Sequence, residues 1–324
     1  MSIDVVEVKR RLLALLNDPN MVNDYIRQYG PVIDIKKIKS VKEKRELSGA
    51  NATLPKPEHD PVFEIKLKCP VCNKDLITGY DLRAKSQQIT QNRFLVPSYE
   101  RTQGYDAVDY SLLAVTVCPR CLFASPDKKD FIRKQFSVPD EVKSQIPSQI
   151  IMTFQERIGE RKALLSSTTD YESHFSRPRS YEAAIDSYKL ALSRAKAEAW
   201  HGQPYSCYKL GSYALRIGKI MKDNNIDDSE VLKDALGYFC DAFRTSNCPS
   251  EDLELQTIYL IVALYLRLGD FKKAHSYIAV FTNLKNNRLG EMRTDPKLNT
   301  IAMDRWADRA KFLWEEREDP QLFK

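Results

Sequence analysis

The chain has 324 residues, 43% of them hydrophobic and 29% charged, the composition of an ordinary globular protein of about two domains. Its net charge of +6, from 50 basic and 44 acidic residues, permits an acidic partner without demanding one. Seven cysteines, an odd number, do not read as a disulfide framework, and no stretch approaches the roughly 18 to 20 uninterrupted apolar residues of a membrane span.

The first residues, "MSIDVVEVKRRLLALLNDPN", mix acids and bases into the apolar positions and lack the plan of a secretory signal, so a cytoplasmic protein is expected. Residues 1–60 are read as N-terminal helices and a basic linker, with one or two short helices over residues 1–30 that put Val8, Leu12, Leu15 and Leu16 on one stripe and stop at Gly30 and Pro31. A basic run, "DIKKIKSVKEKREL", and a polar linker with Pro55, Pro57 and Pro61 follow.

Residues 61–126 change to a strand pattern. In "VFEIKLK", Phe63, Ile65 and Leu67 alternate with Glu64, Lys66 and Lys68, and "YSLLAVTV" from Tyr110 to Val117 is rich in β-formers. Each of these runs ends on Cys-Pro-x-Cys, giving Cys69 and Cys72 in the first and Cys118 and Cys121 in the second. Two residues between paired cysteines let both thiolates reach one ion from a single tight turn, and two such turns supply the closed tetrahedron preferred by Zn2+. One structural zinc per chain on Cys69, Cys72, Cys118 and Cys121 is therefore expected. Pro70 and Pro119 pre-set the backbone of each turn, Asn73 tolerates a left-handed conformation, and Lys66, Lys68, Lys74 and Arg120 stand close in sequence to offset the thiolate charge.

Two other readings of the cysteines stay open. Cys-Pro-x-Cys also serves thiol exchange where the first Cys opens a helix, although no strongly helical segment follows either pair here, and buried cysteines can simply pack. The long interval between the pairs must form a large finger or inserted hairpin over residues 73–117. It interleaves Arg83, Lys85, Arg93 and Arg101 with Tyr80, Phe94, Tyr99, Tyr105 and Tyr110, a mixture suited to phosphates and stacked bases. Asp81, Glu100, Asp106 and Asp109 dilute that patch, so nucleic-acid binding ranks behind a protein partner.

Residues 127–324 are read as an α-helical domain. "YEAAIDSYKLAL" sets Ala184, Tyr188 and Ala191 at A-x3-aromatic-x2-A spacing, "LKDALGYFCDAF" repeats it with Ala235, Phe239 and Ala242, and Ala274, Ile278 and Phe281 offer a third copy. In two-helix repeats a small residue permits close approach and a large one fills the groove of the neighbour. The pattern is similar to the tetratricopeptide repeat, whose period is about 34 residues. Ala184 to Ala235 is 51 positions and Ala235 to Ala274 is 39, so expanded loops are expected at "HFSRPRS" and "KDNNIDDSE". Leu210 and Gly211 suit a first helix, and Met303, Trp306, Ala310 and Leu313 mark a capping helix. A plain helical bundle is the alternative. Cys207 and Cys240 fall on apolar faces, and His59, His174, His201 and His275 pair with no Cys or acid at catalytic spacing.

"CPVC", "YDLRAKS", "YDAVDYSLLAVTVCPRC", the Phe131 of "DKKDF" and the helical second half together resemble an uncharacterised bacterial family, a domain of unknown function with paired Cys-Pro-x-Cys motifs ahead of tetratricopeptide-like helices. The likeness spans about Val62 to Phe281. It implies metal ligation by the four cysteines and a bacterial cytosolic protein, and it supplies no reaction. Leu122 departs from the pattern, standing where the second turn usually continues with Gly. There is no G-x-G-x-x-G, H-E-x-x-H or G-x-S-x-G, so a mostly α, zinc-ribbon-plus-helical-repeat adaptor without catalytic activity is the expected function.

Overall fold

The computed structural model describes residues 59–135, 138–165, 169–295 and 298–323, all within one compact unit. The N-terminal helices and basic run expected over residues 1–58 lie outside the described residues. Strands pair two by two, all antiparallel: β1 (Val62–Leu67) with β2 (Ile77–Leu82), β3 (Gln87–Gln91) with β4 (Pro97–Arg101), β5 (Thr116–Val117) with β6 (Ala124–Ser125), and β7 (Arg133–Gln135) with β8 (Val138–Val142). In β1 the alternation is realised as read: Glu64 and Lys66 are exposed and Leu67 is buried.

"YSLLAVTV" differs from its reading, because only Thr116 and Val117 are strand. The Asp109 carboxylate accepts from the Ser111 amide and starts a 3-10 turn over Tyr110–Leu112, a local hydrogen bond that competes with the ladder. Strand pairing also runs further than the composition suggested, with β7–β8 filling the segment before the first helix.

The helices are α1 (Ser148–Glu156), α2 (Ile158–Ala163), α3 (Tyr171–His174), α4 (Tyr181–Trp200), α5 (Ser206–Asp223), α6 (Ser229–Arg244), α7 (Glu251–Arg267), α8 (Phe271–Glu291) and α9 (Ile301–Glu315). Side-chain caps open four of them: Asp170 accepts from the Ser173 amide, Ser180 from Ala183, Ser250 from Leu253 and Asp270 from Lys273. The protein is thus mostly α, a small β module followed by a helical domain.

The small-residue positions are where these helices approach. Ala184, Ala191, Ala235, Ala242 and Ala274 are fully buried, as are Tyr188 and Phe239. The approach of α5 to α6 is set by Gly211, where an added Cβ would stand 2.6 Å from Cζ of Phe239. Met303, Trp306, Ala310 and Leu313 are the buried face of α9. Loop expansion at "KDNNIDDSE" is seen as the α5–α6 link, while "HFSRPRS" carries the end of α3 and Arg179, whose buried guanidinium donates to the carbonyls of Phe175, Leu112 and Val115.

Strands and helices share their cores. One cluster joins Val115, Val117, Leu122 and Ala124 to Ala184 and Tyr188 of α4. Another joins three of the four motif cysteines and Phe123 to Ile150 and Phe154 of α1. The third is built by α5–α9 and takes in Val96 from the tip of the β3–β4 hairpin. None of the helices in the described residues is long and apolar enough to cross a membrane.

Candidate metal centre

Each Cys-Pro-x-Cys occupies the turn between two paired strands: Cys69 and Cys72 between β1 and β2, Cys118 and Cys121 between β5 and β6. The two turns have the same internal bonds. In the first, Cys69 N donates to Lys74 O at 2.9 Å and Asn73 N to Cys69 O at 3.1 Å; in the second, Cys118 N donates to Phe123 O and Leu122 N to Cys118 O, both at 2.8 Å. Closing either turn requires a left-handed residue after the second Cys, and Asn73 (φ 55°) and Leu122 (φ 59°) both adopt it. Leu122 takes a conformation that costs a non-glycine residue roughly 1–2 kcal/mol. Its fully buried side chain, packed in the cluster shared with α4, offsets that cost.

The fold brings all four sulfurs together, within 4.8 Å of one another. Cys69 and Cys121 stand 3.5 Å apart, and so do Cys72 and Cys118. Four sulfurs at the corners of a tetrahedron about 2.3 Å from one ion would be about 3.8 Å apart, so the donor set and its spacing fit a metal ion. Cys69 and Cys118 are inaccessible, Cys121 nearly so, and Cys72 is half-buried. Thiols this close cannot all ionise unaided. Hydrogen bonds from the Cys121 and Cys69 thiols pull the Cys118 pKa down, and contact with Cys118 pushes those of Cys69 and Cys121 up. A bound cation removes that conflict by offsetting the charge of all four.

The surroundings differ from the sequence reading in one respect. Lys66 pairs with Glu64, Lys68 with Asp75 and Glu141, and Lys74 with Glu172, so these lysines are matched by carboxylates. The buried cation beside the thiols is Arg161 of α2, 2% exposed. Its Nε donates to Cys121 O at 2.9 Å, its Nη2 to Phe154 O at 2.6 Å, and its guanidinium lies 4.5 Å from the centre of the Phe154 ring. Burial lowers its pKa while Cys121, Cys69 and Cys118 raise it. No spacing signal pointed to a residue 40 positions past Cys121; only the fold places it there. Phe123 is packed edge-to-face on Phe131 and Phe154, and Gln155 of α1 donates to Val71 O at 3.0 Å, so α1 closes over the first turn.

The remaining cysteines stand apart from this cluster. Cys240 contacts the hydroxyls of Tyr265 and Tyr277, and Cys248 that of Thr257. One histidine does meet an acid: His174 Nε2 lies 3.2 Å from Asp186 Oδ2, which ties α3 to α4. The partners lie on different helices, so no local spacing announces the pair.

The aromatics of the 73–117 segment are largely engaged within the protein. Tyr80 is buried and accepts a bond from the Arg177 amide, Tyr99 meets Tyr110 edge-on, Phe94 stacks on Phe323 at 5.2 Å, and Arg93 lies 4.9 Å over the Phe312 ring. Tyr259 of α7 donates to Arg93 O at 2.8 Å, seating the hairpin tip on the helices.

No curated protein and no solved structure matches the chain. One family pattern does, over residues 62–308, a span that covers both cysteine turns and the helices to within α9. The chain therefore belongs to the family described as an uncharacterized protein conserved in bacteria (DUF2225).

Proposed function

We propose that the protein is a non-catalytic, zinc-binding adaptor. Zinc held by Cys69, Cys72, Cys118 and Cys121 is structural, and the helical array, tetratricopeptide-like in its small-residue spacing, engages a protein partner. The observation that carries this reading is the closed donor set: four thiols, three of them buried, converge from two turns of equal geometry. Four protein ligands leave no coordination position for a reacting water, which is the pattern of structural rather than catalytic zinc. Zinc bound there cross-links two strand pairs that are each too small to persist alone.

Protein is favoured over nucleic acid because the aromatics that would stack bases are spent inside the fold, Phe94 on Phe323 and Tyr99 on Tyr110. Thiol exchange is disfavoured by the buried, fourfold arrangement, since an attacking thiolate must be accessible. Cross-linking of the zinc-loaded full chain in a bacterial extract, read by mass spectrometry at low and high salt, tests the reading. A stoichiometric protein partner cross-linked to α5–α8 at both salt levels is expected. Recovery of nucleic acid alone, lost steeply as salt rises, would overturn it in favour of the hairpin as a nucleic-acid finger.

A further inference from the structure

A second feature has no part in the metal centre. Between the hairpin tip at Gln91–Val96, the face of α5 and the side of α7 lies a cavity of about 380 Å³, the size of a small organic molecule. Its lining is polar, with Arg194, Lys209 and Arg216 beside Asp127 and Asp130, and it carries the rings of Tyr205 and Tyr208.

The charges of this cavity match in number but do not pair one to one. Arg194 Nη1 is bonded to Asp130 at 2.8 Å and Glu198 at 2.6 Å, and its Nη2 to the Tyr213 hydroxyl at 3.0 Å. Lys209 Nζ is bonded to Glu198 at 2.9 Å. Asp127, the other acid of the lining, accepts from the Lys129 amide. Arg216 is left over. Among the described residues no carboxylate forms an ion pair with it, and its guanidinium is hydrogen-bonded instead to the phenol hydroxyls of Tyr188 and Tyr99. Arg194, wholly buried, also has an Nε–H with no acceptor. A guanidinium held by neutral hydroxyls keeps its charge unmatched, and the wall of the same cavity holds an orphaned donor.

The aromatic wall is held with similar deliberation. Tyr205 sits at φ 69°, a strained value for a bulky residue, with its amide fixed to Asn247 O at 2.9 Å. That places its ring parallel to Tyr208, with centroids 5.1 Å apart, and under Lys209 Nζ. Val96 is buried in the helical core and Asn92 Oδ1 accepts from the Phe94 and Val96 amides, so the tip that roofs the cavity is anchored.

We infer that this cavity binds a small organic oxyanion, a carboxylate or phosphate monoester on a planar body, with the anion on the Arg216 guanidinium and the body against Tyr205 and Tyr208. Arg supplies the forked donor geometry that matches either anion, and the tyrosine rings supply a flat apolar surface at little entropic cost. The site would make the protein a sensor or carrier of a metabolite as well as a scaffold, and it is independent of what the cysteines bind.

The test uses the full chain as purified. Its melting temperature is followed with rising benzoate and with rising phenyl phosphate, each against sodium chloride at matched ionic strength. A saturable rise of several degrees with at least one is expected, and which of the two acts identifies the anion. Arg216→Met should abolish the rise. Arg216→Lys keeps the charge but loses the fork, and should weaken binding about tenfold. No rise beyond chloride with either anion, or an equal rise in Arg216→Met, would overturn the inference. A large fall in the unliganded melting temperature of both Arg216 variants would do so too, by assigning Arg216 to the fold alone.

Discussion

Between Val62 and Val142 every sheet has two strands and none of its strands exceeds six residues, whereas α7 alone buries ten of its seventeen residues in the helical core. The two regions therefore hold together by different means. An isolated two-stranded hairpin is marginal in water, because it has one face to bury and nothing to bury it against. The β module gathers four thiols at two of its turns, where the proposed zinc would cross-link them, and borrows apolar surface from α1 and α4. The C-terminal helices bury a stripe on each neighbour and need no metal. The difference teaches where the molecule is vulnerable: at the thiols on one side, at close helix approach on the other.

Removing the metal should have the largest effect. A structural zinc contributes on the order of 10 kcal/mol to its module, so Cys118→Ser, or a strong chelator, should collapse amide protection in β1–β8, α1 and α2. Hydrogen exchange should show α7–α9 still protected. Equal loss in α7–α9 would mean that the two regions stand or fall together.

Next comes the buried junction between them. Arg194→Met leaves Asp130 without its cation and Glu198 with Lys209 alone, and should cost about 3–5 kcal/mol in denaturant unfolding. A cost below about 1 kcal/mol would show that the network contributes little to holding β6 on α4.

Close approach in the helical half is broken by Gly211→Val, whose Cβ would meet the Phe239 ring at under 3 Å. Overpacking of this kind costs about 1–3 kcal/mol, and the pair Gly211→Val, Phe239→Ala should recover part of it. Failure of the second change to rescue the first would show that α5 and α6 are not in register through this contact.

The smallest expected effect is at Leu122. Glycine normally destabilises relative to alanine, but at φ 59° the order should invert, with Leu122→Gly more stable than Leu122→Ala by about 1 kcal/mol. Alanine proving the better residue would mean that the second turn relaxes out of the left-handed conformation.

Much of this was legible in the chain. The two Cys pairs, the β-like run at Phe63–Leu67 and the alanine spacing at Ala184, Ala235 and Ala274 are local patterns, and local patterns are written in consecutive residues. Leu122 shows the limit of such reading, since a residue type that disfavours the turn is held in it by burial that only the tertiary structure supplies. Arg161, Arg194 and Arg216 were invisible for the same reason: a surface arginine and a buried one look alike until the fold decides what surrounds them. The strand expected over Tyr110–Val117 was lost to a single side chain, Asp109, whose turn-forming bond outcompeted β propensity. The 73–117 segment left a nucleic-acid surface open as the lesser reading because aromatics and cations suit both stacking on bases and packing on helices, and Phe94 and Arg93 do pack on helical-domain residues.

The central claim, that two distant turns form one zinc site, is tested most directly by metal content per chain on protein purified without added metal, paired with thiol titration of the native state. One zinc per chain is expected, with Cys207, Cys240 and Cys248 the only thiols that react before unfolding. A metal-free chain in which Cys69, Cys72, Cys118 and Cys121 react or oxidise readily would contradict it.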